Sequence, residues 1–340
     1  MNTTKVAING LGRIGRAFLK LAIDRPELEI VAVNDLGDIE NLAYLLKYDS
    51  AYGKSGLKIE TTSDSLTING KTIKFLQQKD PSLLPWGDLK IDVVIESTGF
   101  FEHYEKAKLH IDAGARKVVI SAPAKGDPVP GITGATVLMG INDDVLATCQ
   151  ISSNASCTTN SAGPVIQILN ETLGIEKASL TTIHAYTATQ KLVDSPDAKD
   201  WRRGRAGAHN IVPSTTGAAI AVTQVIPELA GKFDGIAIRV PVITGSLTDI
   251  TFISKKNTTV EEVNDILKKA AANPKYAKTF AVSEDHLVSS DIVGESHASI
   301  ADLEFTKVVG GNLVKVLSWY DNETGYANTL VEHVIKTGQI

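Results

Sequence analysis

The stretch that most restricts the fold is KVAINGLGRIG, residues 5–15, where Gly10, Gly12 and Gly15 follow an apolar run and open a helical pattern. At this spacing each glycine answers a separate need. Gly10 permits a tight turn, Gly12 lets a pyrophosphate approach the backbone, and Gly15 lets helix and strand pack closely. The helix N-terminus behind them offers unpaired N–H groups to the phosphates. Ile14, Phe18, Leu19 and Ala22 mark the apolar stripe of that helix. Asp35 closes the next strand candidate, EIVAVND, about twenty residues on, where an acid accepts hydrogen bonds from a ribose. Arg13, at the turn, is positioned to reach cofactor phosphates.

Strand and helix patterns go on alternating through the first half. DVVIEST (92–98) and KVVISA (117–122) are apolar strands around a helix expected from roughly Glu102 to Ala113. TINGKTIKF carries Asn69–Gly70 between alternating residues, a hairpin signal. Alternation of this kind implies a mostly parallel sheet covered on both faces. Beyond residue 155 the pattern changes. A helix expected from about Thr158 to Leu173 leads to ASLTTIHAYT and an irregular segment, residues 188–210. Longer strands follow (GIAIRVPV, LTDITFIS, ASIADLEFTKVV, NLVKVLSWYD), then a last helix from about Glu323 to Lys336. The fold class expected is α/β: a Rossmann-type dinucleotide-binding domain plus an α+β catalytic domain with a large, mostly antiparallel sheet. The first spans residues 1–156 and is completed by the C-terminal helix, 323–340; the second spans 157–322.

A chain of 340 residues can hold two such cores, and 43% apolar with 21% charged residues suits a globular protein. A net charge of −5 gives no general attraction to nucleic acid or acidic membranes. Two cysteines are too few for a disulfide framework, which points to a reducing, cytoplasmic setting. No secretory leader is expected at the N-terminus, and no apolar run reaches bilayer length.

One of those cysteines stands apart from the usual buried thiol among aliphatic neighbours. In SSNASCTTNSAGPVIQIL, residues 152–169, Cys157 lies between Ser156 and Thr158, just before an apolar-periodic run. A free thiol with a pKa near 8.5 is only about 3% ionised at pH 7, so a nucleophilic cysteine needs help. The helix N-terminus favours an anion, and His184 in TTIHAYTATQ offers an imidazole if the fold brings it close. No metal is expected, because neither residue has the companion ligands of a metal site.

NGLGRIGR, LLKYDS, ESTGFF, VVISAPAK, SNASCTTN, IHAYTATQ, STTGAA, RVP and SWYDNETGY occur in that order along essentially the whole chain. Together they resemble the phosphorylating glyceraldehyde-3-phosphate dehydrogenases. The resemblance implies NAD-dependent oxidative phosphorylation of D-glyceraldehyde 3-phosphate to 1,3-bisphosphoglycerate through a thioester on Cys157, with His184 as its catalytic partner. It implies NAD contacts from Gly10, Gly12, Arg13, Ile14, Gly15, Asp35, Lys79, Ser121 and Asn322, the last bonding the nicotinamide carboxamide. Substrate and inorganic phosphate fall to Ser156, Thr158, Thr187, Arg203, Thr216, Gly217 and Arg239. The resemblance also implies a homotetramer, and the reaction requires neither nucleic acid nor membrane.

Ser161 stands where many relatives carry a second cysteine, and Thr324 where an aromatic is usual. RVPVITGSLTDI replaces the commoner RVPTPNVSVVDL, which bears on local strand pairing, and GDPVPGITGAT suggests a longer surface loop. Two other readings compete: an erythrose-4-phosphate dehydrogenase sharing the cysteine and histidine, and an inactive nucleotide-binding interaction protein. TATQ and the pair Arg203/Arg239 favour the triose, and an intact Cys157, His184 and Arg239 speak against the inactive protein.

Overall fold

The computed structural model describes residues 3–198 and 200–340; Lys199, in the irregular segment, lies outside them, as do Met1 and Asn2. The chain divides into two compact units, the residues through Ala155 together with Ala327–Ile340, and Ser156–Tyr326.

In the first unit nine described strands lie side by side in the order Gly134–Thr136, Ile151–Ser153, Lys117–Ile120, Val93–Glu96, Thr4–Asn9, Leu28–Asn34, Lys71–Leu76, Ser65–Ile68 and Ile59–Thr61. Pairing is parallel as far as Lys71–Leu76 and antiparallel through the last two. Alternation along Thr4–Asn9 explains the double covering. Val6 and Ile8 join one cluster with Phe18, Leu19, Leu330 and Val334, while Ala7 faces a second cluster with Trp86, Tyr104 and Ala107. Each large side chain buried this way contributes about 1.5–3 kcal/mol, so a short strand buried on both faces is held by packing more than by propensity. Asn69 and Gly70 both have positive φ, 51° and 82°, which gives the twisted two-residue turn the hairpin requires.

In the second unit seven described strands run in the order Val212–Thr215, Phe233–Val240, Ile175–Ala185, Ser246–Ser254, Leu313–Tyr320, Ser299–Val309 and Phe280–Ser283. Four of the six pairings are antiparallel. The helix Cys157–Thr172 packs on Ser299–Val309 and Leu313–Tyr320, with Ala218–Val225 and Val260–Ala271 beside it. Register arranges the helix-facing side in layers. Leu180, Ile250 and Val316 form an apolar layer, and Thr182, Thr248 and Ser318 a layer of hydroxyls one step on. Ser246 pairs with Tyr320 at the next step, beside the end of the strand carrying His184. The buried face thus turns from apolar to polar toward one end of the sheet, where His184 and Tyr320 lie.

Element ends differ from expectation by one or two residues. The helix expected from about Thr158 starts at Cys157 because Ser156 takes the cap position, and its Oγ accepts the N–H of Thr159 at 3.1 Å. The helix expected over 102–113 is Tyr104–Asp112, and the last helix is Thr324–Gly338. Of the surface loop expected over 126–136, only residues 126–131 are an exposed loop, apart from half-buried Val129; Ile132 is buried and Gly134–Thr136 is the edge strand of the sheet, held by parallel pairing with Ile151–Ser153. No helix among the described residues is long and apolar enough to cross a membrane.

Candidate active site

In the first unit, Gly10 has φ +98°, and a Cβ there would lie 2.8 Å from the Ser97–Thr98 backbone. A Cβ on Gly15 would lie 2.1 Å from the Gly10 carbonyl oxygen. Gly12 differs: nothing stands within 4 Å of where its Cβ would be. The protein's own packing does not require that glycine, so the space it leaves suits an outside group. The helix Arg13–Ala22 begins at Gly12 without a side-chain cap. An open N-terminus of this kind fits a dinucleotide pyrophosphate. Asp35 accepts the N–H of Leu11 at 2.6 Å and that of Gly37 at 2.8 Å, which fixes the carboxylate beside the glycine turn. Each oxygen keeps a lone pair for a ribose hydroxyl. Ile14 packs on the core, Ser121 is half-buried and Lys79 is exposed. Arg13 pairs with Asp49 at 3.1 and 3.3 Å, so a phosphate would share its guanidinium with that carboxylate.

Beneath this turn lies a buried polar chain that the sequence reading does not single out. The Trp86 indole, a donor only, gives its hydrogen to His110 Nδ1 at 3.0 Å. The His110 proton therefore sits on Nε2 and is donated to Glu96 at 3.0 Å. Glu96 also accepts from Asn9 Nδ2 at 2.6 Å and from the Thr98 N–H at 2.8 Å. Thr98 and Ser97 form the loop that closes on Gly10, so this satisfied network holds the glycine turn from below.

In the second unit, Cys157 Sγ lies 3.3 Å from His184 Nε2. His184 Nδ1 is 2.7 Å from the Ala185 carbonyl oxygen and 2.6 Å from Arg239 Nη1. These contacts allow two proton placements. With its proton on Nδ1, donated to Ala185, the ring turns a bare Nε2 to the thiol, as a base does. With the proton on Nε2, Nδ1 accepts from Arg239 and the ring donates toward the sulfur. The Tyr320 hydroxyl, on a side chain 1% exposed, shares hydrogen bonds with the Thr158 hydroxyl at 2.9 Å and the Thr182 hydroxyl at 2.8 Å, and its ring meets His184 edge-on.

The sequence expectation was that the thiol's pKa would be lowered here. Burial is the stronger effect and pushes the Cys157 thiol up, while Arg239 and the N–H and hydroxyl of Thr158 pull against it. Burial, followed by the nearby Arg239 charge, pushes His184 down to about 3. Both shifts favour the neutral thiol beside the neutral imidazole in the free protein. Burial also raises Tyr320, which stays protonated.

Arg239, half-buried, makes no ion pair with a carboxylate among the described residues; it feels the like charge of Arg203 and the attraction of Cys157. Two arginines within electrostatic reach, one of them without a carboxylate partner among the described residues, are an arrangement that suits an anion. Arg203 is held by the Ser214 hydroxyl at 2.8 and 3.0 Å, and by Asp200 at 3.4 Å. Thr216 accepts the Ala218 N–H at 3.2 Å, Gly217 begins the helix Ala218–Val225, and Thr187 bonds Thr189 at 2.9 Å. The structure thus joins Cys157, His184 and Arg239 directly, and leaves Thr187, Thr216 and Gly217 in local bonds of their own.

Residues 4–104 match the family model described as glyceraldehyde 3-phosphate dehydrogenase, NAD binding domain, and residues 156–322 match its C-terminal domain. The chain is 50% identical to the glyceraldehyde-3-phosphate dehydrogenase of Clostridium pasteurianum, with 96% of each chain covered. It is 47% identical to that of Streptomyces coelicolor, covering 99% of each, and 46% identical to glyceraldehyde-3-phosphate dehydrogenase 1 of Kluyveromyces lactis, covering 97% of this chain and 99% of the other. The chain belongs to the glyceraldehyde-3-phosphate dehydrogenase family. Its NAD-binding domain match spans the glycine turn and Asp35, and the open space at Gly12 agrees with that cofactor. Within this dehydrogenase the match over 156–322 includes Cys157, His184 and Arg239. Tyr320 and Glu96 lie in motifs visible in the sequence, SWYDNETGY and ESTGFF, but their partners are remote in the chain, so only the fold reveals what they hold.

Proposed function

We infer that the protein oxidises D-glyceraldehyde 3-phosphate with NAD and passes the acyl group to inorganic phosphate, giving 1,3-bisphosphoglycerate. The contact of Cys157 with His184, 3.3 Å apart at the start of a helix and backed by Arg239, is the observation that carries the reading. His184 takes the thiol proton at Nε2 as sulfur attacks the aldehyde carbon. The resulting oxyanion then accepts that proton's hydrogen bond and becomes the hydroxyl of a hemithioacetal. His184 next removes the hydroxyl proton, the C–H bond leaves as hydride, and a thioester remains on Cys157. NAD, when bound, supplies the hydride acceptor. A phosphate oxygen attacks the thioester carbon, and the cysteine leaves as thiolate. Arg239 and Arg203, with Thr187, Thr216, Gly217, Ser156 and Thr158, hold the two phosphates, and Asn322 holds the nicotinamide carboxamide.

The neutral thiol–imidazole pair suits this sequence of steps. Anionic substrate neutralises Arg239, the group that depresses His184 after burial, so the base strengthens when substrate arrives. Two free cysteines, Cys149 and Cys157, fit the cytoplasm proposed for this activity. The test is a progress curve with aldehyde and NAD but no phosphate. About one NADH per site should form in a burst and then nearly stop, because a thioester shielded from water waits for phosphate. Arsenate should restore turnover. Sustained turnover in water alone would show a hydrolytic enzyme and overturn the phosphorylating assignment.

A further inference from the structure

Asn322 is 5% exposed, yet only one end of its side chain is engaged. Its Oδ1 accepts the Ser246 hydroxyl at 2.9 Å, with the Thr244 hydroxyl at 3.4 Å. Its Nδ2 donates to none of the described residues. That donor is not sealed in the interior, so an otherwise buried, anchored amide turns its N–H groups to open space, where a ligand with an acceptor can meet them.

Ser246, 1% exposed, is committed on both sides. Its Oγ accepts the Ala185 N–H at 3.1 Å, and the carbonyl of that same residue is the partner of His184 Nδ1. A hydroxyl has one proton to give, and here the acceptor is Asn322 Oδ1. Thr244 spends its own proton mainly on Asp321, at 3.0 Å. Asp321 also accepts the N–H groups of Glu323, Thr324 and Gly294 at 2.8–3.0 Å, which fixes the turn on which Asn322 rides. A single serine therefore ties the peptide that steadies the histidine to the amide whose donors stand free.

We propose that Ser246 is a positioning residue for both halves of the reaction, setting the Ala185 peptide against His184 and turning the donor end of Asn322 toward a planar amide carbonyl, that of the nicotinamide carboxamide. The second half rests on the NAD reading above; the first does not. The orientation matters chemically, because a carboxamide held at one oxygen fixes which face of the ring meets the substrate.

The test compares Ser246→Ala, Ser246→Thr and Ser246→Val in the full chain; the last two share a shape and differ in the hydroxyl, which keeps the comparison usable if the alanine protein folds poorly. Three readouts are taken. The first is the pH profile of Cys157 alkylation by iodoacetamide in cofactor-free protein. The second is the dissociation constant of NAD by direct titration, and the third is the ring face that receives deuterium from a C1-deuterated aldehyde. The alanine and valine proteins should shift the alkylation midpoint, weaken NAD about three- to tenfold, as one lost hydrogen bond does, and deliver deuterium to both faces. The threonine protein should keep all three near wild type. Asn322→Ala should weaken NAD while leaving the alkylation profile in place. If the wild-type protein fails to bind NAD, the functional reading falls, and the alkylation profile alone decides the link to His184. Valine and alanine proteins that melt lower but keep the wild-type profile, affinity and facial selectivity would make Ser246 a packing residue and overturn the proposal.

Discussion

Arg239 touches His184 at Nδ1, and under the proposed function it answers two demands, holding a substrate anion and biasing that imidazole. Replacement by leucine should cost on the order of 2–4 kcal/mol of transition-state stabilisation, roughly 30- to 1,000-fold in kcat/KM. The melting temperature should change little, since no described carboxylate loses a partner. The cation also lowers His184, so its removal lets that pKa rise toward 6.5, and the acid limb of the rate profile should move to higher pH. A loss below fivefold, or an acid limb that stays put, would show that Arg239 does neither job. Cofactor choice is a second matter of single residues. In the proposed role Asp35, fixed by the Leu11 N–H, would accept from ribose hydroxyls and repel a 2′-phosphate, so NAD should be preferred to NADP, and Asp35→Gly should narrow the ratio of their kcat/KM values. Equal kcat/KM for both cofactors in the wild type would refute the preference. Cys157, His184 and Asp35 are legible in the sequence because each sits in a local motif. Asp49 as the partner of Arg13, 36 residues away, is not, because nothing local to either residue signals the pairing.

At the scale of elements, the legible features are those set by neighbours in the chain. The Asn69–Gly70 hairpin, the strand–helix alternation of the first unit and the long strands of the second all appear in local periodicity. Strand order does not, because the parallel pairing of Ile175–Ala185 with Phe233–Val240 joins segments separated by a helix and an irregular loop. That pairing sets His184 opposite Arg239, so the site depends on the one feature periodicity cannot report. The last helix supplies a test of a buried group. His333 is fully buried, with Nε2 against the Ser152 hydroxyl at 2.8 Å and Nδ1 donating to Asn154 Oδ1 at 3.0 Å. Burial pushes its pKa down to about 3, as it does for His184. A depressed folded-state pKa means that the unfolded chain binds the extra proton first. The stability contribution is therefore complete above pH 6.5 and is lost as pH falls from there toward 3, at about 1.4 kcal/mol per pH unit for each histidine. Urea unfolding of His333→Gln between pH 4 and 6.5 should show a slope shallower by that amount. An unchanged slope would mean that His333 is protonated in the fold.

On the scale of the whole molecule, the helices described in the second unit pack on one side of its sheet. Its other side carries an apolar row that register makes continuous: Ile238, Ile183, Leu247 and Trp319 from four adjacent strands, all half-buried. The next row adds exposed Ile236 and half-buried Leu317 across Thr181 and Asp249. A contiguous apolar strip on an otherwise polar protein signals an association surface, since leaving it in water forfeits about 25 cal/mol for each Å² it could bury. The homotetramer implied by family resemblance would cover it with another copy of the chain. Closed symmetry favours such self-complementary faces, where each copy presents the same row to its partner. Sedimentation of the wild type at micromolar concentration should give four times the chain mass. Ile236→Lys costs little in an isolated chain, where that side chain is 51% exposed, but places a charge in the proposed interface. It should therefore yield smaller species with an unchanged circular dichroism spectrum. A wild-type monomer, or a lysine variant that still sediments as a tetramer, would mean that this face is not where the copies meet.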